Sequence, residues 1–406
     1  MRFFFSVVLT LFFFTSFAQG DSLGPVADNS HLRISILTCG SGNELYSSFG
    51  HTGVRVIDSS KGRDEVYNYG TFDFGDPDFY SKFMLGKLLY YLDKSSYPDF
   101  INVYIAEKRA VDEQVLDLTE VQKRTMLSYL DSNLRPENRA YRYDFFFDNC
   151  ATRVRDIFPK VLGEEFYFGS ALNGKKISYR GIMNQYLVNK HWERFGINLL
   201  LGSVTDSIMT DDGSMYLPDF VHQSLIHAKY RGKHVVSADN VLMKSGITEA
   251  RRFNGPLWMM IGLLILTVLA FHIPAFRYLK PVIRFVILLV TGLLGCLMLF
   301  MWLGTNHQAC TGNYNILWAI PLNLVVAFLA GKKKFWLRIY ALAAISLLIV
   351  ALIVHVIGFQ RMPLIELSPL MLALMYIYID LYKQNIDAPV PAALTPTANP
   401  PADDTL

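Results

Sequence analysis

The stretch FFFDNCATRVRD, Phe145 to Asp156, carries the most specific local signal in the chain. Tyr141 to Phe147 predicts a strand. Asp148 and Asn149 are favoured N-cap residues, and a helix is expected over Ala151 to Phe158, opening at Cys150 or just after it. A cysteine at a helix start sits at the positive end of the backbone dipole, which favours thiolate over thiol. A structural cysteine belongs more naturally in mid-strand or on the apolar face of a helix. Cys150 is therefore a candidate nucleophile.

Upstream, Arg33 to Cys39 alternates as a strand, Gly40-Ser41-Gly42 turns the chain, and Asn43 to Phe49 predicts a short helical turn. His51 to Asp58 (HTGVRVID) and Glu65 to Phe72 (EVYNYGTF) alternate as two more strands around the turn at Ser59 to Arg63, giving a hairpin. His51 opens its strand just after Gly50, where an imidazole projects from a sheet edge. A strand-borne His preceding a helix-opening Cys is the pairing that thiol acyl transfer uses, with His as base and a third polar group orienting the ring. The hairpin places Gly70 to Asp73 opposite His51. Asp73 is thus the candidate orienter, with Asn68 and Tyr69 as rivals. The Cys150 N–H, with Tyr46 or Asn149, is the expected oxyanion donor set. The aromatic run Phe79 to Ile105 is expected either to line an acyl groove, to dip into a membrane interface, or to form an ordinary core. Helical spacing over Val115 to Asn133 and Ile177 to Arg194 completes an α+β domain.

Downstream of Arg252 the composition changes. The chain is 52% hydrophobic, too apolar for an ordinary soluble protein, and the excess lies in five segments: Leu257–Ile273, Val282–Leu303, Ile316–Ala330, Trp336–Ile357 and Leu364–Leu381. Arg277, Lys280 and Arg284 mark the first connecting loop, and Lys332, Lys333, Lys334 and Arg338 the third, so both are assigned to the cytoplasmic side. Met1 to Ala18 reads as a secretory signal. Both arguments put the N-terminal domain outside the cytoplasm. The second loop, TNHQACTGNYN, faces the same compartment. Its Asn306, His307 and Asn315, with Asn313 and the following Trp318, are candidates for binding a lipid head group, capping of helix ends being the plainer role. A Pro-, Ala- and Thr-rich tail ends the chain and is expected to be disordered. The net charge of +3 carries no basic tract for nucleic acid, and the four cysteines, Cys39, Cys150, Cys296 and Cys310, make no disulfide framework. No HExxH, paired CxxC or G-x-S-x-G run occurs, so neither a metal, another cofactor nor a serine nucleophile is expected.

With these residues in view, the chain resembles the Lnb-type lipoprotein N-acyltransferases of Bacteroidetes. The likeness lies in Leu37 to Val56, Tyr141 to Asp156, ERFGINLLLG (Glu193 to Gly202) and Thr305 to Leu324, where Asn306 stands in place of the Asp expected of a Thr-Asp-His run. The resemblance implies a permuted NlpC-type, papain-like α+β periplasmic domain (residues 19–253) after the signal (1–18). An all-α five-helix transmembrane domain (254–384) and a cytoplasmic tail (385–406) would follow. It implies a multi-pass bacterial inner-membrane enzyme, with Cys150 as nucleophile and His51 as base. The acyl donor would be a membrane phospholipid and the acceptor a diacylglyceryl lipoprotein. A membrane-anchored cysteine peptidase or amidase acting on the cell wall would use the same dyad without lipid; a non-enzymatic scaffold would need neither residue.

Overall fold

The computed structural model describes residues 31–73, 75–248 and 252–388. The expected signal and the tail from residue 389 lie outside them. Strands β1 (Leu32–Cys39), β2 (His51–Asp58) and β3 (Arg63–Thr71) form where alternation predicts them. Helix α1 (Phe79–Met84), β4 (Leu89–Ser96), α2 (Tyr97–Glu107), β5 (Val111–Leu116), α3 (Glu120–Leu134), β6 (Ala140–Arg142), α4 (Cys150–Arg155) and α5 (Ile157–Leu162) follow. The rest of the domain comprises β7 (Phe166–Tyr167), α6 (Tyr179–Tyr186), α7 (His191–Leu200), α8 (Asp211–Ser214), α9 (Pro218–Ile226), β8 (Lys229–Tyr230), β9 (Lys233–His234) and β10 (Val236–Met243).

Seven strands make one antiparallel sheet in the order β10-β5-β1-β2-β3-β4-β6. Period-two alternation gives it two apolar faces. Ile34, Ile36, Val54, Val56 and Tyr67 pack on one side against Met126 and Leu130 of α3, Ala151 and Val154 of α4, Ile157 and Phe158 of α5, and Val221 and Leu225 of α9. On the other, Leu37, Cys39, Val66 and Val111 lie under Phe100 and Tyr104 of α2. Each fully buried aliphatic or aromatic side chain contributes about 1.5–3 kcal/mol.

Several elements differ from the sequence expectation. The helix expected from Val115 starts only at Glu120, where Thr119 and Gln122 form a capping box, because Val111 to Leu116 is taken as a strand between β1 and β10. The strand expected over Tyr141 to Phe147 stops at Arg142, and Asp144 and Asp148 then exchange backbone hydrogen bonds across a tight loop. The helix expected over Ile177 to Arg194 is two, α6 and α7.

The C-terminal part is helical: α10 (Gly255–His272), α11 (Lys280–Leu303), α12 (Asn323–Leu329), α13 (Phe335–Val356) and α14 (Leu364–Gln384). Among the described residues, four helices are long and apolar enough to cross a membrane. The expected third span is not a continuous helix. Pro321, which lacks an N–H, interrupts it, and only α12, about 10 Å long, is α-helical. The segment nevertheless runs antiparallel along α11. A Cβ on Gly295 would strike Ala319, one on Gly292 would strike Leu324, and Phe285 packs edge-on to Phe328. Asn323 Nδ2 donates to Thr291, and its Oδ1 accepts from the hydroxyls of Tyr340 and Tyr378, so this buried amide is satisfied.

Candidate active site

The loop closed by Asp144 and Asp148 delivers Asn149 to the N-cap of α4. Its Oδ1 accepts from the N–H groups of Ala151 and Thr152, while its Nδ2 donates to the carbonyls of Phe145 and Tyr216. Cys150 is therefore the first helical residue, held by an amide with no spare hydrogen-bonding group. Its sulfur accepts from the backbone N–H groups of Thr52 and Ala151. Thr52 lies just beyond the end of the β2–β3 register, which runs from Gly53–Asn68 to Asp58–Arg63.

His51 comes to the sulfur from the first residue of β2, one position after Gly50, whose φ of +78° and close approach to the Cys39 carbonyl exclude a side chain. The Nε2 of His51 donates to Asn68 Oδ1 at 2.6 Å, leaving Nδ1 for the Cys150 thiol, with which the imidazole is hydrogen-bonded. Extending the hairpin register places Gly70 opposite His51, and the imidazole lies directly over it: a Cβ there would stand 2.9 Å from His51 Cε1. Burial pushes the Cys150 thiol up, but the imidazolium and the two backbone donors pull it down and prevail. Burial likewise pushes His51 down, yet the thiolate and the Asn68 carbonyl raise it above the ordinary imidazole value. Each group thus shifts the other toward its charged form, and both residues remain partly exposed. Cys39, paired with His51 across the β1–β2 ladder, is the opposite case. Its burial drives the thiol up to about 12 beside Tyr104, and it is no nucleophile.

The other expected site residues are dispersed. Asp73 lies past the end of β3, exposed, and caps its own turn by accepting from the Gly75 N–H; Asn68 holds the orienting position instead. The reason is parity: Asn68 lies two residues from Gly70 on the same sheet face as His51, and Asp73 does not. Asn149 has no group left for an oxyanion. Tyr46 is 75% exposed, and its hydroxyl donates to Glu107. Asn315 and Trp318 are fully buried. The Asn315 amide donates to the carbonyls of Asn198 and Leu199 at the end of α7, and its Oδ1 accepts from the Trp318 indole. Asn306 and His307 meet the soluble domain through the Asn306 N–H to Leu85 O and the His307 ring to Phe83 O, beside α1. Tyr90, a member of the aromatic run, stacks at 4.2 Å on Tyr143, which sequence reasoning passed over, and both are near enough to Cys150 to sense its charge. The role of Gly70 was also missed; a glycine facing a candidate histidine was the available signal. Among the described residues, no group of three or more His, Cys, Asp or Glu is placed to hold a metal ion.

The fold and the site define a class: a membrane protein whose α+β domain presents a paired cysteine and histidine. Comparison with known families is specific. Residues 26–185 match the Lnb N-terminal periplasmic domain, and residues 248–385 match the Lnb transmembrane domain. The chain belongs to the Lnb family, with a periplasmic domain followed by a transmembrane one. Neither the curated proteins nor the solved structures yield a match.

Proposed function

We propose that this protein is a lipoprotein N-acyltransferase of the inner membrane, working through a Cys150 thioester. Membership of the Lnb family suggests an acyltransferase acting on lipoproteins. The observation that carries the chemistry is the relay Asn68–His51–Cys150 at the start of α4. A His on an early strand, an Asn orienting it and a Cys opening a later helix also support the permuted papain-like reading. The multi-pass membrane part would keep this relay at the bilayer that supplies the acyl donor.

In the first half-reaction the Cys150 thiolate attacks an ester carbonyl of a phospholipid. The Cys150 N–H is the proposed donor to the developing oxyanion. The ester C–O bond breaks, the leaving alkoxide takes a proton from the His51 imidazolium, and a lysophospholipid departs. In the second, the α-amino group of a diacylglyceryl-modified N-terminal cysteine attacks the thioester carbonyl. His51 accepts a proton from that amine, the C–S bond breaks, and Cys150 leaves as thiolate. The amide product is the N-acylated lipoprotein. Asn68 keeps Nδ1 aimed at sulfur through both steps.

Two measurements test this. Wild-type protein in lipid should show a hydroxylamine-sensitive acyl adduct on Cys150 by intact mass. Cys150→Ser should abolish both the adduct and N-acylation of lipoprotein N-terminal peptides. Unchanged N-acylation in the Cys150→Ser protein would end the proposal.

A further inference from the structure

The aromatic run from Phe79 to Ile105 divides in the structure. Its second half, Phe100 and Tyr104, is core. Its first half is not. Phe83 stacks on Phe79 (6.4 Å, 8°), Phe79 meets Phe72 at 5.8 Å, Phe72 meets Tyr90 at 5.1 Å, and Tyr90 stacks on Tyr143 beside Cys150. Phe72, Phe79, Tyr90 and Tyr143 are all half-buried. An aromatic cluster built only for packing looks different here: Phe158 and Phe166 also stack, and they are 0% and 7% exposed. The series therefore presents a continuous apolar face from the surface to the sulfur. Burial pushes the Tyr90 phenol up to about 12 and the Tyr143 phenol well above the ordinary range, so the face carries no charge at neutral pH.

The outer end of this face is α1, where Tyr80, Phe83 and Met84 are 80%, 55% and 52% exposed. An apolar surface of this kind marks a contact site. What covers it follows from where it lies. Leu85 O and Phe83 O accept hydrogen bonds from Asn306 and His307, which come directly after α11, a helix apolar enough to cross a membrane. The last residue of α11, Leu303, is 72% exposed. Helix α1 is thus held beside the C-terminal end of α11, and aromatic side chains favour the interface where an apolar helix leaves a membrane.

We propose that α1 lies in the outer interface of the membrane and that the Phe83–Phe79–Phe72–Tyr90–Tyr143 face is an acyl-chain groove, guiding one chain of a bilayer lipid to Cys150. This deepens the acyltransferase reading and rests on it. The test uses full-length Cys150→Ser protein in nanodiscs containing a phosphatidylethanolamine with a diazirine in one acyl chain. After illumination, cross-links should map to peptides containing Phe79 to Phe83 and Tyr90 as well as to the membrane helices, which serve as the internal positive control. In the otherwise wild-type chain, Phe83→Asp should lower the rate of Cys150 acylation by about tenfold or more, since a carboxylate disfavours the interface. A thermal unfolding transition close to the wild-type Tm, which requires no acyl transfer, reports that the variant is folded. Cross-links confined to the membrane helices, or full-rate acylation by folded Phe83→Asp, would overturn the groove. Cross-links on α1 in a protein whose wild-type form never acquires a Cys150 adduct would support the groove and remove the acyltransferase reading.

Discussion

Gly70→Ala adds a single methyl group, and the structure says where it goes. The new Cβ would stand 2.9 Å from His51 Cε1 and 3.5 Å from Asn68 Oδ1. Non-bonded carbons settle at about 3.5–4.0 Å, so the imidazole or the strand beneath it must yield by about 0.6–1.1 Å. The ring is held by the 2.6 Å bond to Asn68 and by the sulfur, and both geometries depend on its position. A misplacement of about 1 Å at a catalytic group lowers rates by about a hundredfold, whereas overpacking of this kind destabilises a fold by about 1–3 kcal/mol. The expected phenotype is a folded protein with a modest fall in Tm, N-acylation reduced by about two orders of magnitude, and slower alkylation of Cys150 at mildly acidic pH. Peptide mass spectrometry of lipoprotein N-termini and a timed iodoacetamide reaction supply the two readouts. Wild-type values of both in folded Gly70→Ala protein would show that the bare strand position does not set the imidazole, and the reasoning from sheet register to catalysis would fail.

The thiol of Cys150 is held down and the imidazole of His51 up by each other, so the thiolate should persist as pH falls below the ordinary thiol range of about 8.5. In a pH profile of alkylation, His51→Ala should move the onset of reactivity upward; an unmoved profile would deny the pairing. Asn68→Ala removes an acceptor from an imidazolium, a bond worth about 1.5–3 kcal/mol, and should reduce acyl transfer by about tenfold to a hundredfold while Asp73→Ala leaves it near wild type. The reverse ranking would restore Asp73 as the orienter. Asn149→Ala strips the cap of α4 and leaves two carbonyls unpaired, so it should lower stability by about 1–2 kcal/mol or more, measurable by denaturant titration. Arg180→Ala removes the ion-pair partner of Asp206, leaving it only the weaker contact with Arg361, and is expected to destabilise by about 3 kcal/mol; a smaller shift than Asn149→Ala would contradict the buried-pair assignment.

The three N-terminal strands and the helix at Cys150 were legible because alternation, a glycine turn and an Asp-Asn cap are local signals. The meeting of His51 and Cys150 was inferred from residue type and strand order rather than from spacing, and the antiparallel sheet brings them together. The orienter stayed open between Asp73 and its rivals Asn68 and Tyr69. Asn68 and Asp73 lie on either side of the position opposite His51, and only strand parity and the end of β3 at Thr71 separate them. β4, α2, β5 and β10 were invisible for a different reason. LYYLDKSS and VSADNVLM lack clean alternation because sheet-edge and site-facing positions admit polar side chains. The interrupted third apolar segment was legible in principle, since Pro321 lies inside it; counting apolar residues obscured it.

The joint between the two halves has a consequence for how the chain is built. The last carbonyls of α7 accept from Asn313 and Asn315 of the loop after α11, with Arg180 of α6 adding a bond only to that of Asn198, while Arg194 of α7 reaches Glu366 at the head of α14. Gly202 and Ser203 add backbone bonds to Ala309 and Gly312. The Glu193 to Gly202 stretch is therefore a socket whose plug is synthesised about a hundred residues later. Until the membrane helices have been inserted, that socket stays open to water, and severing the chain near residue 253 would yield two fragments, each carrying unfinished helix ends.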